Sequence, residues 1–275
     1  MTDPRRTTGA CLVFHDPQSA SSLVEDLREL QSRIGAPLDC VAYIGSTSTL
    51  QVAKLQPLFQ NAGLQLSCCE KVDDRFLDFS MYAVGLETLR ARGCSDVVFA
   101  NDTLASRHRS AYLRRMVADR IARARGRVFD FPVLIGPHSR SEYSFGDGRH
   151  DEFISTYLFY LNAAGLQVFA ALLQELESVH RGLAAAAPPA PGLDAELVRL
   201  CRVHATQLEA RYHDAADAGE RLARKLVTVY CERALADHVR QGGLIWYVGN
   251  GLVGRLLIPL QTWLGQIFTG RRRQK

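Results

Sequence analysis

Two polar residues, Asn101 and Asp102, follow directly on the apolar run 97–100. A strand that is apolar along its length and polar at its last residues puts them at the carboxyl edge of a central sheet, where open α/β sheets take their ligands. Asp16 ends an earlier apolar run at 10–16, and Ser46 and Thr47 close another at 39–46. In a 3-2-1-4 strand order these groups converge on one crevice, and the backbone amides of helix starts would add affinity for an anion there. Arg75 and Asp78 fall just before and within the first turn of a helix expected over 76–92, near the same edge. A guanidinium can hold a phosphate bidentately, and a carboxylate accepts from the hydroxyls of a polar ligand. Each residue also has a plainer structural account. Asn101 and Asp102 suit the cap of a following helix, and Arg75 with Asp78 makes an i, i+3 pair with an acid at a helix N-terminus. His15, beside Asp16, suits either a nucleobase contact or a hydrogen-bonded position at the sheet margin.

The elements that must position these residues alternate. Strands are expected at 10–16, 39–46, 64–71 and 96–100, and helices at about 19–34, to 61, and at 76–92. Gly63 and Gly93 stop the second and third helices. Strand and helix alternating at this spacing imply right-handed βαβ units and a mostly parallel sheet flanked by helices. A basic amphipathic helix is expected at 109–125, a strand interrupted by Pro132 at 127–136, a polar loop at 137–152 and a strongly apolar helix at 153–176.

Composition excludes several classes. Apolar content of 47% and charged content of 23% over 275 residues belong to a folded globular chain. The net charge of +4 is small, and its basic residues gather at 107–127 and in the last five positions without interleaved aromatics, which argues against nucleic acid. Seven dispersed cysteines, with no C-x-x-C pair, read as free thiols of a reducing compartment, so a cytoplasmic protein is expected. No apolar leader follows Met1.

The α/β domain is expected over 8–180. An Ala/Pro linker follows at 181–193, because Pro188, Pro189 and Pro191 cannot continue a helix. A charged helical region is expected at 194–240. The final segment, 241–275, is apolar but broken by Asn250, Arg255, Pro259 and Gln261, too interrupted to span a bilayer. Its Trp246, Tyr247 and Trp263, with Arg271–Arg273, would suit a peripheral anchor on the inner face of the cell membrane, or a helix packed on the protein.

Residues 74–80, DRFLDFS, resemble the N-R-G-x-D-F/I-G segment of the rhamnan synthesis protein F-like glycosyltransferase family, followed in both by a helix, an apolar strand and Asn-Asp. Ile135-Gly136 and the run Ser155, Thr156, Tyr157, Leu158 are similar to two further segments of that family. The resemblance spans about 10–176 and implies a GT-A-like (Rossmann-like) fold. It also implies transfer of a sugar from a nucleotide-sugar donor to a cell-surface polysaccharide or lipid-linked glycan acceptor. It places Asn101-Asp102 where such enzymes hold Mg²⁺ or Mn²⁺ on the donor diphosphate, with Asp102 as the metal carboxylate. Asp16, Ser46, Arg75, Asp78 and Asn101 would then hold the donor, Asp78 on its ribose or sugar. An inverting transfer also needs a base for the acceptor hydroxyl. Glu142, His150, Asp151 and Glu152, with His138 and Asp147, lie in the loop that could reach it. The chain departs from the family at Asp74, Phe76 and Ser80, where the family has Asn, Gly and Gly. A bulky Phe76 in the donor's space would leave the alternative, a catalytically silent binding or scaffold module in polysaccharide assembly.

Overall fold

A computed structural model describes residues 7–106, 110–140, 152–185, 195–207 and 218–249. Strand β1 (Thr8–Phe14) is buried at every position. It lies between two parallel neighbours, β2 (Leu38–Gly45) and β4 (Asp96–Asn101). A strand covered on both faces is apolar throughout, and its alternate side chains enter opposite layers. Ala10, Leu12 and Phe14 go to one core, and Cys11 and Val13 to the other. β3 (Gln65–Val72) pairs parallel with β2 at the sheet's edge, so the first four strands stand in the expected 3-2-1-4 order. Beyond β4 the sheet is mixed. β7 (Leu158–Leu161) runs antiparallel between β4 and β5 (Val133–Arg140), and β6 (Glu152–Ile154) pairs with the last residues of β5.

Helices cover both faces. One carries α1 (Ala20–Ile34), α2 (Val52–Asn61), the short α4 (Asp102–Ser106) and α5 (Ala111–Arg125). The other carries α3 (Asp78–Ala91), α6 (Ala163–Gln174) and α9 (Ala218–Arg240), with Leu176 of α7 (Leu176–Ala185) at its margin. α8 (Ala195–Gln207) packs on α9 through Cys201 and Leu226. Aromatic rings fill the second layer: Phe99 stacks on Phe159 at 4.7 Å, and Tyr82 and Phe169 meet Phe99 edge-on at 5.3 and 5.2 Å. Such pairs contribute about 0.5–1.5 kcal/mol each beyond their burial.

Three expectations are corrected. Residues 153–162 are not the start of a helix. They form β6, a turn and β7, and the helix begins only at Ala163, capped by the Asn162 side chain, which accepts from Gly165 N at 3.0 Å. The same Asn162 accepts from Val133 N and donates to Phe131 O, so one amide joins the start of β5 to the start of α6. Aromatic residues crowd a helix but pair well across strands, and the vacancy between β4 and β5 selects the strand form. The strand expected at 127–136 starts after Pro132 and runs on to Arg140, into the expected loop. Leu244–Val248, in the segment read as an anchor, is a further strand, β8, parallel to β5. Its Trp246 packs against Phe129 at 6.4 Å with the Arg120 guanidinium over its ring. Trp263, the terminal arginines and most of the proline linker lie outside the described residues. No helix among the described residues is long and apolar enough to cross a membrane. All seven cysteines are free.

α3 presses close on β1 at Gly85, where an added Cβ would stand 2.2 Å from Cys11 Sγ. Gly85→Ala is therefore expected to lose about 1–2 kcal/mol through overpacking, although alanine favours a helix by about 1 kcal/mol. Urea denaturation measures this, and Cys11→Ala added to Gly85→Ala should recover most of the loss.

Candidate functional site

The ends of β1 and β4 lie side by side where the sheet's connections diverge, α1 leaving to one face and α3 arriving from the other. Asp102, the first residue after β4, is 4% exposed and ties the two ends together. Its Oδ2 accepts the backbone N–H of His15 at 2.7 Å and that of Asp16. Asp16 caps the turn Pro17–Ser19 that leads into α1, accepting from Gln18 N and from Ser19 Oγ. Sequence expectation brought Asp16 and Asp102 to one crevice, and they meet through the backbone.

Asp78 enters the same crevice from the first turn of α3. Its Oδ1 stands 2.8 Å from His15 Nε2, and its Oδ2 accepts from Asn101 Nδ2 at 2.6 Å. Asn101 Oδ1 in turn accepts from Thr103 N at 3.0 Å, so the side chain both caps the short helix after β4 and holds Asp78. The i, i+3 partnership expected of Arg75 and Asp78 is replaced by this link from Asp78 to His15 and Asn101.

Asp74 closes the ring from the other side of His15. It is 2% exposed and accepts from Ser46 Oγ at 2.7 Å and Thr47 Oγ1 at 3.1 Å. Its Oδ2 is 3.7 Å from His15 Nδ1, a buried ring nitrogen with no hydrogen-bond partner. Gly45 makes room for the pair: a Cβ there would stand 2.6 Å from Asp74 Oδ2 and 2.8 Å from His15 Nδ1. Between Asp74 and Asp78 the chain turns through Leu77, at φ 51°. A branched residue held there costs about 1–3 kcal/mol, and the turn it makes delivers both carboxylates to one imidazole.

Phe76 and Ser80 are bonded to each other. Ser80 Oγ accepts the N–H of Phe76 at 2.9 Å. Phe76 is buried and lies 5.5 Å from the His180 ring of α7. Arg75, expected on a phosphate, turns away from the crevice: its Nη1 donates to Glu177 Oε1 at 2.9 Å, and its Nη2 lies 3.8 Å from Glu220 of α9. Glu152 is exposed and lies 3.3 Å from His138. Glu142, Asp147, His150 and Asp151 fall outside the described residues.

Sequence reasoning missed Glu232, in the middle of α9. It is partly buried and accepts from both the hydroxyl of Thr156, at 2.7 Å, and the Thr156 backbone N–H. No local signal marks it, since it is one charged residue among many in a charged helix.

The crevice is strongly acidic. Burial pushes the Asp102 carboxyl above its ordinary range and the charge of Asp78 adds to that, while His15 and the two backbone N–H groups pull against it. Among the described residues no group of three His, Cys, Asp or Glu side chains forms a metal cage. A divalent ion carried by a diphosphate needs only one or two carboxylates besides the phosphate oxygens, and Asp102, one oxygen of which already accepts two backbone N–H groups, is the carboxylate that would hold it. A cation there would restore the ionised form that burial disfavours.

Neither a protein-family model nor a curated protein sequence matches the chain. Among solved structures, the chain is similar to the apo structure of the WbbM bifunctional glycosyltransferase. The identity is 12% and the TM-score 0.34, over 63% of this chain and 35% of that one. The chain thus spans about a third of that protein, and a likeness this distant carries no functional argument.

The raised Asp102 value sets a direction for stability. The unfolded chain releases this proton near the ordinary value of 3.8, and the folded protein holds it to higher pH. In that window the folded state binds more protons, so stability falls as pH rises through it. Asp102→Asn, which keeps a side-chain oxygen for the two N–H groups, should show a shallower fall in thermal midpoint between pH 4 and neutrality than the wild type.

Proposed function

We propose that this chain is a glycosyltransferase that moves a sugar from a nucleotide-activated donor to a glycan acceptor, one borne on a lipid or on a surface polysaccharide. The observation that carries the assignment is the convergence of Asp78, Asn101 and Asp102 around His15 at the junction of β1 and β4. These residues include the family-like positions Asp78, Asn101 and Asp102. Asp102 would hold the Mg²⁺ or Mn²⁺ that neutralises the donor diphosphate as it leaves. An anionic diphosphate entering a crevice lined by Asp74, Asp78 and Asp102 needs such a counter-charge. Asp78, fixed on two sides by His15 and Asn101, would orient the donor's hydroxyls. Ser46 and Thr47 act behind it, since both donate to Asp74 and so hold the wall against His15. A tail that rests on the membrane surface would raise the local concentration of a lipid-linked acceptor.

A second assignment, a glycosyltransferase-like binding module without turnover, is favoured by two contacts. Arg75 is engaged by Glu177, and Phe76 is sealed under His180. Titration calorimetry with a panel of nucleoside diphosphates, with and without Mn²⁺, tests both. A transferase should bind one of them only with the metal. Asp102→Asn should weaken that binding by more than the about 10–100-fold that losing an outer-shell partner costs a metal site. Binding without release of diphosphate from any nucleotide sugar would select the silent module, and no binding to any nucleotide by the folded protein would remove the transferase and leave the silent module.

A further inference from the structure

Glu232 stands at the site's edge of the sheet although it belongs to the C-terminal helix. β7 runs antiparallel to β4, so its first residue, Leu158, lies opposite Ala100, and the turn before it lies against the site. Within that turn the Tyr157 carbonyl accepts the backbone N–H of Asn101 at 3.2 Å. Thr156 is fixed from two directions: its carbonyl accepts from the hydroxyl of Tyr82, on α3, at 2.9 Å, and its own hydroxyl donates to Glu232 Oε1 at 2.7 Å. Tyr82 lies one helical turn beyond Asp78. Through Thr156 the Glu232 carboxylate is tied to the turn that bonds Asn101, on the face of the sheet that carries α3, α6 and α9, within electrostatic reach of Asp78.

We infer that Glu232 is the proton acceptor for the incoming hydroxyl in the transfer proposed above. The acceptor oxygen forms its bond to the anomeric carbon as the bond from that carbon to the diphosphate oxygen breaks. The electron pair leaves with the diphosphate, and the hydroxyl proton passes to the Glu232 carboxylate and then to solvent. The inference rests on the proposed transferase activity and adds to it a base for the acceptor hydroxyl.

The surroundings suit the role. Burial raises the Glu232 carboxyl above the ordinary range and the charge of Asp78 adds to that, while Lys225 and the two donors on Thr156 work against it. A base whose pKa is lifted toward neutrality accepts a proton more readily at the working pH. Thr156 bonds it from the turn, and the titratable groups within electrostatic reach of it are Asp78 and Tyr82 on α3, Lys225 and Cys231 on its own helix and Cys201 on α8. The two donors on Thr156 aim the carboxylate.

Release of nucleoside diphosphate from a panel of nucleotide sugars, with water as the accepting hydroxyl, tests this on the full chain. Glu232→Gln should bind nucleoside diphosphate and Mn²⁺ as the wild type does and melt at a similar temperature. It should release diphosphate about 10²–10⁴-fold more slowly, and the acid limb of its kcat/KM profile should vanish. Formate or azide should restore part of the rate to Glu232→Ala. Thr156→Val, which removes one donor, should move the acid limb to higher pH. Wild-type turnover in Glu232→Gln, or a loss of diphosphate binding equal to the loss of rate, would overturn the inference while leaving the transferase intact. No release by the wild type would instead remove the transferase and this inference together.

Discussion

One carboxylate oxygen, Asp102 Oδ2, receives the backbone N–H groups of both His15 and Asp16, and through them the ends of β1 and β4 are held in one place. Parallel strands present their last amides without partners at the carboxyl edge, and those amides must be satisfied by side chains, water or ligand. A buried acid that accepts two of them turns that requirement into a rigid floor. His15 is thereby fixed by its own backbone, which lets Asp78 meet its Nε2 and Asp74 face its Nδ1. Removing one partner from such a network leaves buried groups unsatisfied at about 1–3 kcal/mol each, so the arrangement is specific as well as stable.

The same geometry makes the crevice electrostatically unbalanced. Asp74 and Asp78 gather near Asp102, whose ionisation burial opposes, and Arg75, which could have offset them, is bonded to Glu177. In the proposed transfer, a site that concentrates negative charge in this way would take its donor together with a divalent cation. The strained turn at Leu77 belongs to this balance, since it directs Asp74 and Asp78 toward His15 and leaves Arg75 pointing the other way.

The C-terminal helices are part of the same core. α9 buries Val227, Cys231, Leu235 and Val239 in the layer that holds Phe79 and Phe169, and β8 extends the sheet past β5. The Arg240 guanidinium, at the end of α9, bonds the Tyr247 hydroxyl of β8 and the Glu152 carbonyl of β6, which joins α9 and β8 to β6.

The alternating apolar runs of the first hundred residues determined the parallel half of the sheet, because a strand covered on both faces can only be continuously apolar. They also determined that Asp16, Asp78, Asn101 and Asp102 share an edge, since polar residues must leave such a strand at its end. Beyond residue 130 the charged helices at 195–207 and 218–240 were legible, but local pattern failed at two strands. The aromatic run 153–161 satisfies either period, and only the place between β4 and β5 made it a strand. Leu244–Val248 looked like surface-seeking apolar sequence because its partner, β5, lies more than a hundred residues earlier. Which guanidinium a carboxylate attracts and which hydroxyl aims Glu232 are contacts between residues 76 to 102 positions apart. No sequence period encodes them, and the folded chain alone brings them within reach.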